Sequence, residues 1–333
     1  MFDIPLLLIL IIAAALVFDF TNGAHDCANA IASVVSTKVL TPRVAVSMAA
    51  TLNLLGALLG TEVAHTLGAG IVRPEIVMGS HILVLAALLG AISWNTITWY
   101  FGIPSSSSHA LIGGLMGAAI AHAGPGALNG MSIIKKVVLP LIISPLAGFA
   151  MGFLLMTVIS IVFFRVSRPQ VYRIFSRGQI CSSAFMALSH GLNDAQKTMG
   201  IITLALLIFG KIEVIHVPFW VKLACALAMA AGTGVGGWKI VKTMGHKIFK
   251  LEPVHGVAAE SSASLVIGCA SIFGAPISTT HTITACIFGV GSTRRLSAVR
   301  WGIAGNLIIA WVLTIPASAC VGGISFLLLE LIF

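Results

Sequence analysis

Charged residues are scarce in this sequence. Asp, Glu, Lys and Arg make up 9% of its 333 residues, whereas 58% of the residues are hydrophobic. A soluble globular domain carries about 25% charged residues. The shortage therefore excludes an ordinary soluble domain and predicts a chain that lies mostly in a bilayer, whose core takes about 20 apolar residues per helix.

The sequence also lacks the motifs of several site types. Its six cysteines show no Cys-x-x-Cys spacing, and most lie in apolar stretches, where cysteine packs as a small apolar residue. Gly-x-Ser-x-Gly and His-Glu-x-x-His, which are typical of hydrolases and metalloproteases, are absent. We therefore predict no disulfide framework, no zinc site, no catalytic residue and no enzymatic activity.

Acidic residues are half as frequent as basic ones, and the formal net charge is +9. The cations cluster in short segments between apolar stretches, where Lys and Arg mark the cytoplasmic ends of membrane segments. This pattern favours a topological signal over a nucleic-acid surface. The clusters are Arg165, Arg168, Arg173 and Arg177; Lys239, Lys242, Lys247 and Lys250; and Arg294, Arg295 and Arg300.

Ten apolar stretches predict an all-α polytopic membrane protein with about 10–12 membrane segments. No signal-peptide cleavage pattern is present, and Asp3 stands where a basic region would precede such a peptide, so we expect a retained first helix. The stretches lie near 2–20, 44–60, 81–101, 105–121, 137–164, 180–210, 219–236, 254–274, 277–290 and 302–333.

Two polar motifs interrupt these stretches, and each occurs twice. "NGAHDCANAIAS" at 22–33 matches "SHGLNDAQKTMG" at 189–200, with Asp26 opposite Asp194 at an offset of 168 residues. "FGIPSSSSH" at 101–109 matches "FGAPISTTH" at 273–281 at an offset of 172 residues. The same order at nearly the same offset indicates an internal duplication.

Five apolar stretches per half predict that the second half lies in the membrane upside down relative to the first. Inverted repeats with a site at their interface are typical of secondary transporters. We therefore predict a first inverted repeat at 1–164, a basic cytoplasmic linker at 165–179 and a second inverted repeat at 180–333. The short stretches at 105–121 and 277–290 are predicted to be re-entrant hairpins rather than full spans.

Asp26 and Asp194 stand at equivalent places in apolar surroundings, where a carboxylate costs about 2.5–3.5 kcal/mol at the bilayer centre. They fit either helix caps at the interface or a site for Na⁺ or a proton. Side-chain oxygens or amide donors are available nearby, from Asn29, Asn193 and Gln196. His25 replaces the Asn of the second copy and either titrates near neutral pH or forms a hydrogen bond.

The Ser/Thr motifs follow a Gly-x-Pro, which breaks a helix and lets a new one begin. We call Ser105–Ser108 the first hydroxyl cluster and Ser278–Thr280 the second. Hydroxyls and free N–H groups at a helix start bind anions, although ordinary N-capping uses the same residues. His109 and His281 close the two clusters and fit packed side chains equally well.

The charges favour coupled transport. Moving an anion against a negative-inside potential costs about 2.3 kcal/mol per charge per 100 mV. The motifs hold two aspartates and one cation, Lys197, which either pairs with Asp194, meets the anion or extends to the interface; Glu260 adds a further carboxylate. An anion fits such a site only together with Na⁺ or H⁺, which predicts symport.

The four motifs resemble those of the PiT family of inorganic phosphate transporters, from about residue 18 to the end of the chain. The resemblance implies an inverted-repeat bundle whose two Ser/Thr hairpins meet at a central phosphate site. It implies no cofactor beyond the co-transported Na⁺ or H⁺. The expected partners are inorganic phosphate, the coupling cation and the lipid bilayer. Many bundle transporters form dimers, so a homodimer is a further expectation, and the oligomeric state stays open.

The resemblance also implies roles for particular residues. Glu260 matches an acid of the family's second half, and Asn53 stands where some members carry the corresponding Glu. The coupling cation is expected at Asp26, Asn29, Asn193 and Asp194, with Glu260 and His25 as further candidates. Phosphate is expected at Ser105, Ser106, Ser107, Ser108, Ser278, Thr279, Thr280, Gln196 and Lys197.

The sequence departs from the family pattern in two places. His25 stands where many members carry Asn, and this form resembles bacterial low-affinity permeases, several of them proton-coupled, so the coupling ion stays open. The linker is much shorter than the cytoplasmic loop of animal members. We expect a multi-pass protein of a prokaryotic plasma membrane. A sulfate permease is the alternative function, and an intramembrane hydrolase or an anion channel are alternatives of other classes.

Overall fold

The computed structural model describes residues 6–67, 72, 73, 76, 80–214, 216–275 and 277–333. Within these residues there is no β-strand, only an isolated bridge between Val72 and Leu128. The helices of the first half are α1 (Leu6–Ser36), α2 (Pro42–Leu58), α3 (Glu62–Leu67), α4 (His81–Phe101), α5 (Ser107–Ala123) and α6 (Gly130–Val162).

The helices of the second half are α7 (Arg168–Ile208), α8 (Phe219–Val235), α9 (Trp238–Lys247), α10 (Pro253–Ile272), α11 (Thr279–Arg294) and α12 (Trp301–Glu330). Every predicted apolar stretch overlaps one of these helices within the described residues, and residues 2–5 of the first stretch lie outside them. The all-α prediction is confirmed. The division into repeats at 164 and 180 remains a prediction.

Four of the described helices are long and apolar enough to cross a membrane: α1, α4, α6 and α12. Helices α8 and α9 meet at a bend of 61° and would form a fifth, broken span. Helix α7 is longer still at 41 residues, but it carries basic side chains at its start and the second Asp motif further along. The chain is thus a multi-pass membrane protein by length and composition.

Both Asp motifs lie within continuous helices. The apolar stretch predicted at 180–210 already spans the second motif, whereas the stretch predicted at 2–20 ends before the first. Helix α1 continues through 22–33 to Ser36, because this segment contains no proline and four of its residues are alanine. Helix α7 begins at Arg168, with Pro169 in its first turn, and so includes most of the predicted linker 165–179. Asp26 and Asp194 are therefore mid-helix side chains rather than helix caps.

Glycines allow each motif helix to pack closely on a helix of the other half. A Cβ atom at Gly23 of α1 would overlap the carbonyl of Met229 on α8, and one at Gly191 of α7 would overlap the carbonyl of Asn53 on α2. Gly23 and Gly191 are 168 residues apart, as are the two aspartates. The close contacts place both motifs at the centre of the bundle.

Helices α5 and α11 begin just after the two breaks, in the same way. Gly102 (φ 69°) and Gly274 (φ 64°) end the preceding helices in the left-handed conformation that glycine favours. The side chains of Ser106 and Ser278 then accept hydrogen bonds from backbone N–H groups three residues on. Pro276, the second proline of the pattern, lies outside the described residues.

The lengths of α5 and α11 bear on how they lie in the membrane. They have 17 and 16 residues, or about 25 Å at 1.5 Å per residue, which is shorter than a hydrocarbon core of about 30 Å. Their re-entrant character remains a prediction. Their N-termini point the two hydroxyl clusters toward the middle of the bundle, where they contact the aspartates.

Candidate transport site between the two halves

Asp26 and Asp194 meet in the interior of the bundle. They come from α1 and α7, and both are buried, with 2% and 1% of their surfaces exposed. One carboxylate oxygen of each and one ring nitrogen of His190 lie within 4.8 Å of one another. The two motifs therefore contribute to a single central cluster, as the sequence predicted.

The Asp26 carboxylate contacts groups from both hydroxyl clusters. Its Oδ1 lies 2.6 Å from His25 Nδ1 and accepts from the Thr280 hydroxyl at 3.2 Å. Its Oδ2 accepts from the Ser107 hydroxyl at 3.3 Å. A mid-helix carboxylate of the first half is thus held by the starts of α5 and α11 together.

The Asp194 carboxylate forms a buried ion pair with Lys197, one helical turn further along α7. It also accepts from the Thr279 hydroxyl at 2.9 Å. Lys197 is 1% exposed, and its ammonium also donates to Ser108 Oγ at 2.5 Å and to the Ile277 carbonyl at 3.2 Å. Lys197 therefore does not extend to the membrane surface, and its charge is fixed inside the site.

Asn29 stands 168 residues before Lys197, so the two occupy equivalent positions of the predicted repeats. Asn29 Nδ2 donates to Thr280 Oγ1 at 3.0 Å and to Thr279 Oγ1 at 3.3 Å. Lys197 likewise contacts Ser108. Each motif therefore binds the hydroxyl cluster of the opposite half, one through an amide and the other through a cation.

His190 is a member of the cluster that the sequence analysis did not select. It stands one turn before Asp194, inside the quoted motif, and that i, i+4 spacing was the available signal. Asn53 of α2 fixes its orientation, since Asn53 Oδ1 lies 3.2 Å from His190 Nδ1.

The hydrogen bonds around Asn53 determine which His190 nitrogen carries a proton. The Thr233 hydroxyl donates to the Met229 carbonyl, so it accepts from Asn53 Nδ2 at 2.9 Å. This leaves the Asn53 oxygen to accept from His190 Nδ1. In the neutral ring, the lone pair of Nε2 then faces an Asp194 oxygen at 3.1 Å. The two acceptors repel each other unless a cation or a proton lies between them.

Two further amide oxygens are buried without a hydrogen-bond partner, those of Asn29 and Asn193. Their amide nitrogens are engaged, because Asn29 binds the second hydroxyl cluster and Asn193 Nδ2 donates to Ser271 at 2.8 Å. Carboxylate and amide oxygens are the ligands that hard cations prefer. The chemistry of the donors therefore fits a small hard cation or a proton.

His25 and Ser105 lie on the α4 side of the central cluster. His25 Nε2 lies 3.1 Å from Thr98 Oγ1 and 3.3 Å from the Ser105 hydroxyl, which donates to Thr98 at 2.9 Å. Ser105 therefore contacts the site through His25. Ser106 and Ser278 cap their helices, as ordinary N-caps do.

Two predicted site residues lie away from the two aspartates. Gln196 Oε1 accepts from the backbone N–H of Val63 at 2.7 Å at the start of α3, and its Nε2 donates to the Leu192 carbonyl at 2.6 Å. Glu260 accepts from Ser33, Ser182 and Gln179 in a second buried polar cluster. Ser33 follows Asp26 by seven residues, or about 10 Å along α1.

His109 and His281 face each other behind the clusters, with ring centroids 5.0 Å apart, and His281 stacks on Trp311 at 4.0 Å. Packing thus accounts for their position. The fixed charges of the central cluster are two carboxylates and one ammonium. With neutral histidines this sum is negative.

A helical bundle with a buried polar cluster that both halves contribute to, and that the starts of two helices contact, is typical of a membrane transporter. The phosphate transporter family model matches residues 22–322. The chain belongs to this family, in agreement with the resemblance seen in the four motifs, and the relatives are named as transporters rather than enzymes.

Full-length relatives are similar over almost the whole chain. A low-affinity inorganic phosphate transporter of Bacillus subtilis is 48% identical over 333 residues, which cover 99% of this chain and 100% of the relative. The one of Rhizobium meliloti is 48% identical over 328 residues, covering 98% and 97%. A solved structure titled as the sodium-dependent phosphate transporter superposes with a TM-score of 0.90 at 25% identity, covering 98% of this chain and all of that one.

Proposed function

We propose that this protein is a symporter that moves inorganic phosphate across the membrane together with Na⁺ or H⁺. The cation binds between Asp26, His190 and Asp194, and phosphate binds at the starts of α5 and α11. One observation carries the proposal. The carboxylates that would hold the cation accept hydrogen bonds from Ser107, Thr279 and Thr280, the hydroxyls that would face the anion.

The cation assignment is supported by the orientation of His190. Its Nε2 lone pair and the Asp194 carboxylate approach to 3.1 Å without a proton between them in the neutral ring. A Na⁺ ion would be bound by both, and a proton would convert His190 to the imidazolium and pair it with Asp194. The unpartnered oxygens of Asn29 and Asn193 offer further ligands to Na⁺.

The phosphate assignment is supported by the two helix starts and by the family. Free N–H groups and hydroxyls at a helix N-terminus bind phosphate oxygens, and two such ends converge here with the Lys197 ammonium. The relatives are named for inorganic phosphate. Sulfate would fit the same donors, and direct competition with labelled phosphate separates the two anions.

Coupling follows from the shared hydroxyls. When a cation binds the two carboxylates, Ser107, Thr279 and Thr280 are released to donate to an anion, and the negative charge facing the anion is reduced. Each ligand then raises the affinity for the other by the same factor. Carrying the anion with a cation also offsets the cost of about 2.3 kcal/mol per charge per 100 mV.

Transport in purified form tests the proposal. Protein in liposomes is given labelled phosphate under an imposed Na⁺ gradient and, separately, under an imposed pH gradient. Saturable accumulation under at least one gradient is expected. Accumulation under neither gradient, or conductance without saturation, would overturn the symport proposal. Glu330→Gln, which removes an exposed carboxylate at the end of α12, serves as the matched control for charge-removing variants.

The proposal also covers the orientation of the protein in the membrane, the membrane in which it lies and its oligomeric state. The basic clusters favour the cytoplasmic side for the start of α7, for α9 with the segment after it, and for the end of α11 with the segment after it. Because a bacterial relative has the same length, we place the protein in a prokaryotic plasma membrane. The expected homodimer is tested by the mass of the detergent-solubilised protein.

A further inference from the structure

Asp19 is a third acidic residue within the membrane helices of the motifs, and it lies outside both motifs. It stands on α1, seven residues before Asp26 and therefore on the same helix face. It is 0% exposed, and neither of its carboxylate oxygens has a hydrogen-bond partner. The site described above does not use it.

The surroundings of Asp19 are poor in polar groups. The Thr198 hydroxyl of α7 and the Cys225 thiol of α8 face the carboxylate, and Thr198 itself has no hydrogen-bond partner. The titratable and charged groups that act on Asp19 are Asp194 and Lys197 of α7 and Cys225 of α8. Lys197 is already paired with Asp194, so Asp19 has no counter-charge of its own.

The rest of the environment is apolar. Phe18, Met199 and Cys225 belong to one buried hydrophobic cluster. An ionised carboxylate faced only by one hydroxyl and one thiol in such surroundings costs several kcal/mol, so a group of this kind holds a proton or a cation. Beside the carboxylate itself, one hydroxyl provides too few oxygen ligands for Na⁺, which leaves the proton.

A polar side chain lies between Asp19 and the central cluster along the same helix. Asn22 is 1% exposed, and neither its amide oxygen nor its amide nitrogen has a partner. It follows Asp19 by three residues and precedes Asp26 by four, so the three side chains share a face of α1. This row of unpartnered polar groups links Asp19 to the two aspartates.

We propose that Asp19 is a proton-carrying site of the transport cycle, distinct from the cation site between Asp26 and Asp194. Its carboxylate takes a proton from the water on one side of the membrane and releases it to the water on the other side. Phosphate is thereby coupled to a proton in addition to the centrally bound cation. The inference rests on the proposed function, because it concerns the same transport cycle.

Two assays in liposomes with a pH-sensitive dye inside test the inference. Phosphate exchange measures movement of the loaded site without net proton transfer, and accumulation under a pH gradient requires proton release. Asp19→Asn imitates the protonated form, so we expect accumulation driven by the pH gradient to fall about tenfold or more, with exchange preserved. Asp19→Glu keeps a titratable group and should retain both, as should the control Glu330→Gln.

The outcomes separate the inference from the proposed function. Normal accumulation and proton uptake in Asp19→Asn would overturn the inference while leaving phosphate symport intact. Loss of both exchange and accumulation in a correctly inserted Asp19→Asn protein would show a structural role and would also overturn it. Loss of Na⁺-driven accumulation alone would assign Asp19 to Na⁺ instead. A wild-type protein that accumulates phosphate under neither gradient would overturn the proposed function itself.

Discussion

The two Asp motifs have the same place in the fold but different charges. In the second half, Lys197 neutralises Asp194 and contacts Ser108 of the first hydroxyl cluster. In the first half the equivalent position is Asn29, so Asp26 is held by His25 and by hydroxyls alone. The difference teaches that Asp194 has a fixed counter-charge in Lys197, whereas Asp26 has no such ammonium partner and is therefore the carboxylate on which the proposed mobile cation would matter most.

The largest expected effect comes from removing the charge of each aspartate in turn. In Asp26→Asn the mobile cation loses its only uncompensated carboxylate, and in Asp194→Asn it loses the partner of His190. We expect phosphate uptake to fall about a hundredfold or more in either variant, because charge pairs at such depth are rarely replaceable. Uptake into liposomes, normalised to inserted protein, measures the loss.

The control for this prediction is Glu330→Gln, which should transport like wild type. Normal uptake in Asp26→Asn or in Asp194→Asn would remove that residue from the cation site.

Removing the fixed charge tests the second half specifically. Lys197→Met leaves Asp194 buried without its partner, and breaking a buried ion pair costs about 3–5 kcal/mol of folding free energy. We expect a marked drop in the thermal stability of the purified protein. The double variant Lys197→Met with Asp194→Asn should recover most of that stability, because no unpaired charge remains, while transport stays lost.

Equal stability of the single and double variants would contradict the ion-pair account. It would mean that Asp194 is neutral or paired elsewhere when Lys197 is absent.

The next test concerns His190, which only the second half contributes to the cluster. Asn53→Leu removes the acceptor that fixes the Nδ1 proton, without touching the carboxylates. We expect weaker cation dependence, seen as about a tenfold higher cation concentration for half-maximal uptake, a loss in the range typical for groups that orient metal ligands. The maximal rate at saturating cation should change little.

His190→Gln keeps a polar side chain but removes the ring, and it should weaken cation dependence at least as much as Asn53→Leu. A variant that alters only the maximal rate would indicate a structural effect instead.

The variant with the smallest expected effect is one that makes the two motifs more alike. His25→Asn gives the first motif the Asn-Asp pair of the second. An amide can still donate to a neighbouring hydroxyl, so we expect uptake within about tenfold of wild type. The measurement is uptake by the variant and the wild type, normalised to inserted protein. A complete loss of uptake would make His25 essential rather than accessory.

The sequence alone predicted much of this comparison. The repeated motifs identified Asp26 and Asp194 and both hydroxyl clusters, because identical spacing in two halves is visible without coordinates. The apolar stretches predicted the helices, including the one through the second motif, but not the continuation of α1 through the first motif, since polar residues mask a helix in an apolar pattern. Gln196 was selected by its position in a motif and Glu260 by the family resemblance, yet the side chains of both contact other partners.

Other parts of the site depend on contacts between helices. The i, i+4 spacing to Asp194 places His190 near the carboxylate, but the orientation of its ring depends on the packing of α7 on α2, which brings Asn53 to it. The pairing of Asn29 and Lys197 with opposite hydroxyl clusters depends on how the halves interlock. Asp19 gave no signal in the sequence, because it stands alone in an apolar stretch and its lack of partners is a three-dimensional property.

The central claim is that cation and phosphate share the hydroxyls between Asp26 and Asp194. Equilibrium binding of labelled phosphate to the purified protein, measured with and without Na⁺ and at low and high pH, tests it most directly. We predict that Na⁺ or protons raise the affinity for phosphate in wild type, and that this gain disappears in Asp26→Asn. Phosphate affinity that is the same at every Na⁺ concentration and pH in wild type would contradict the claim.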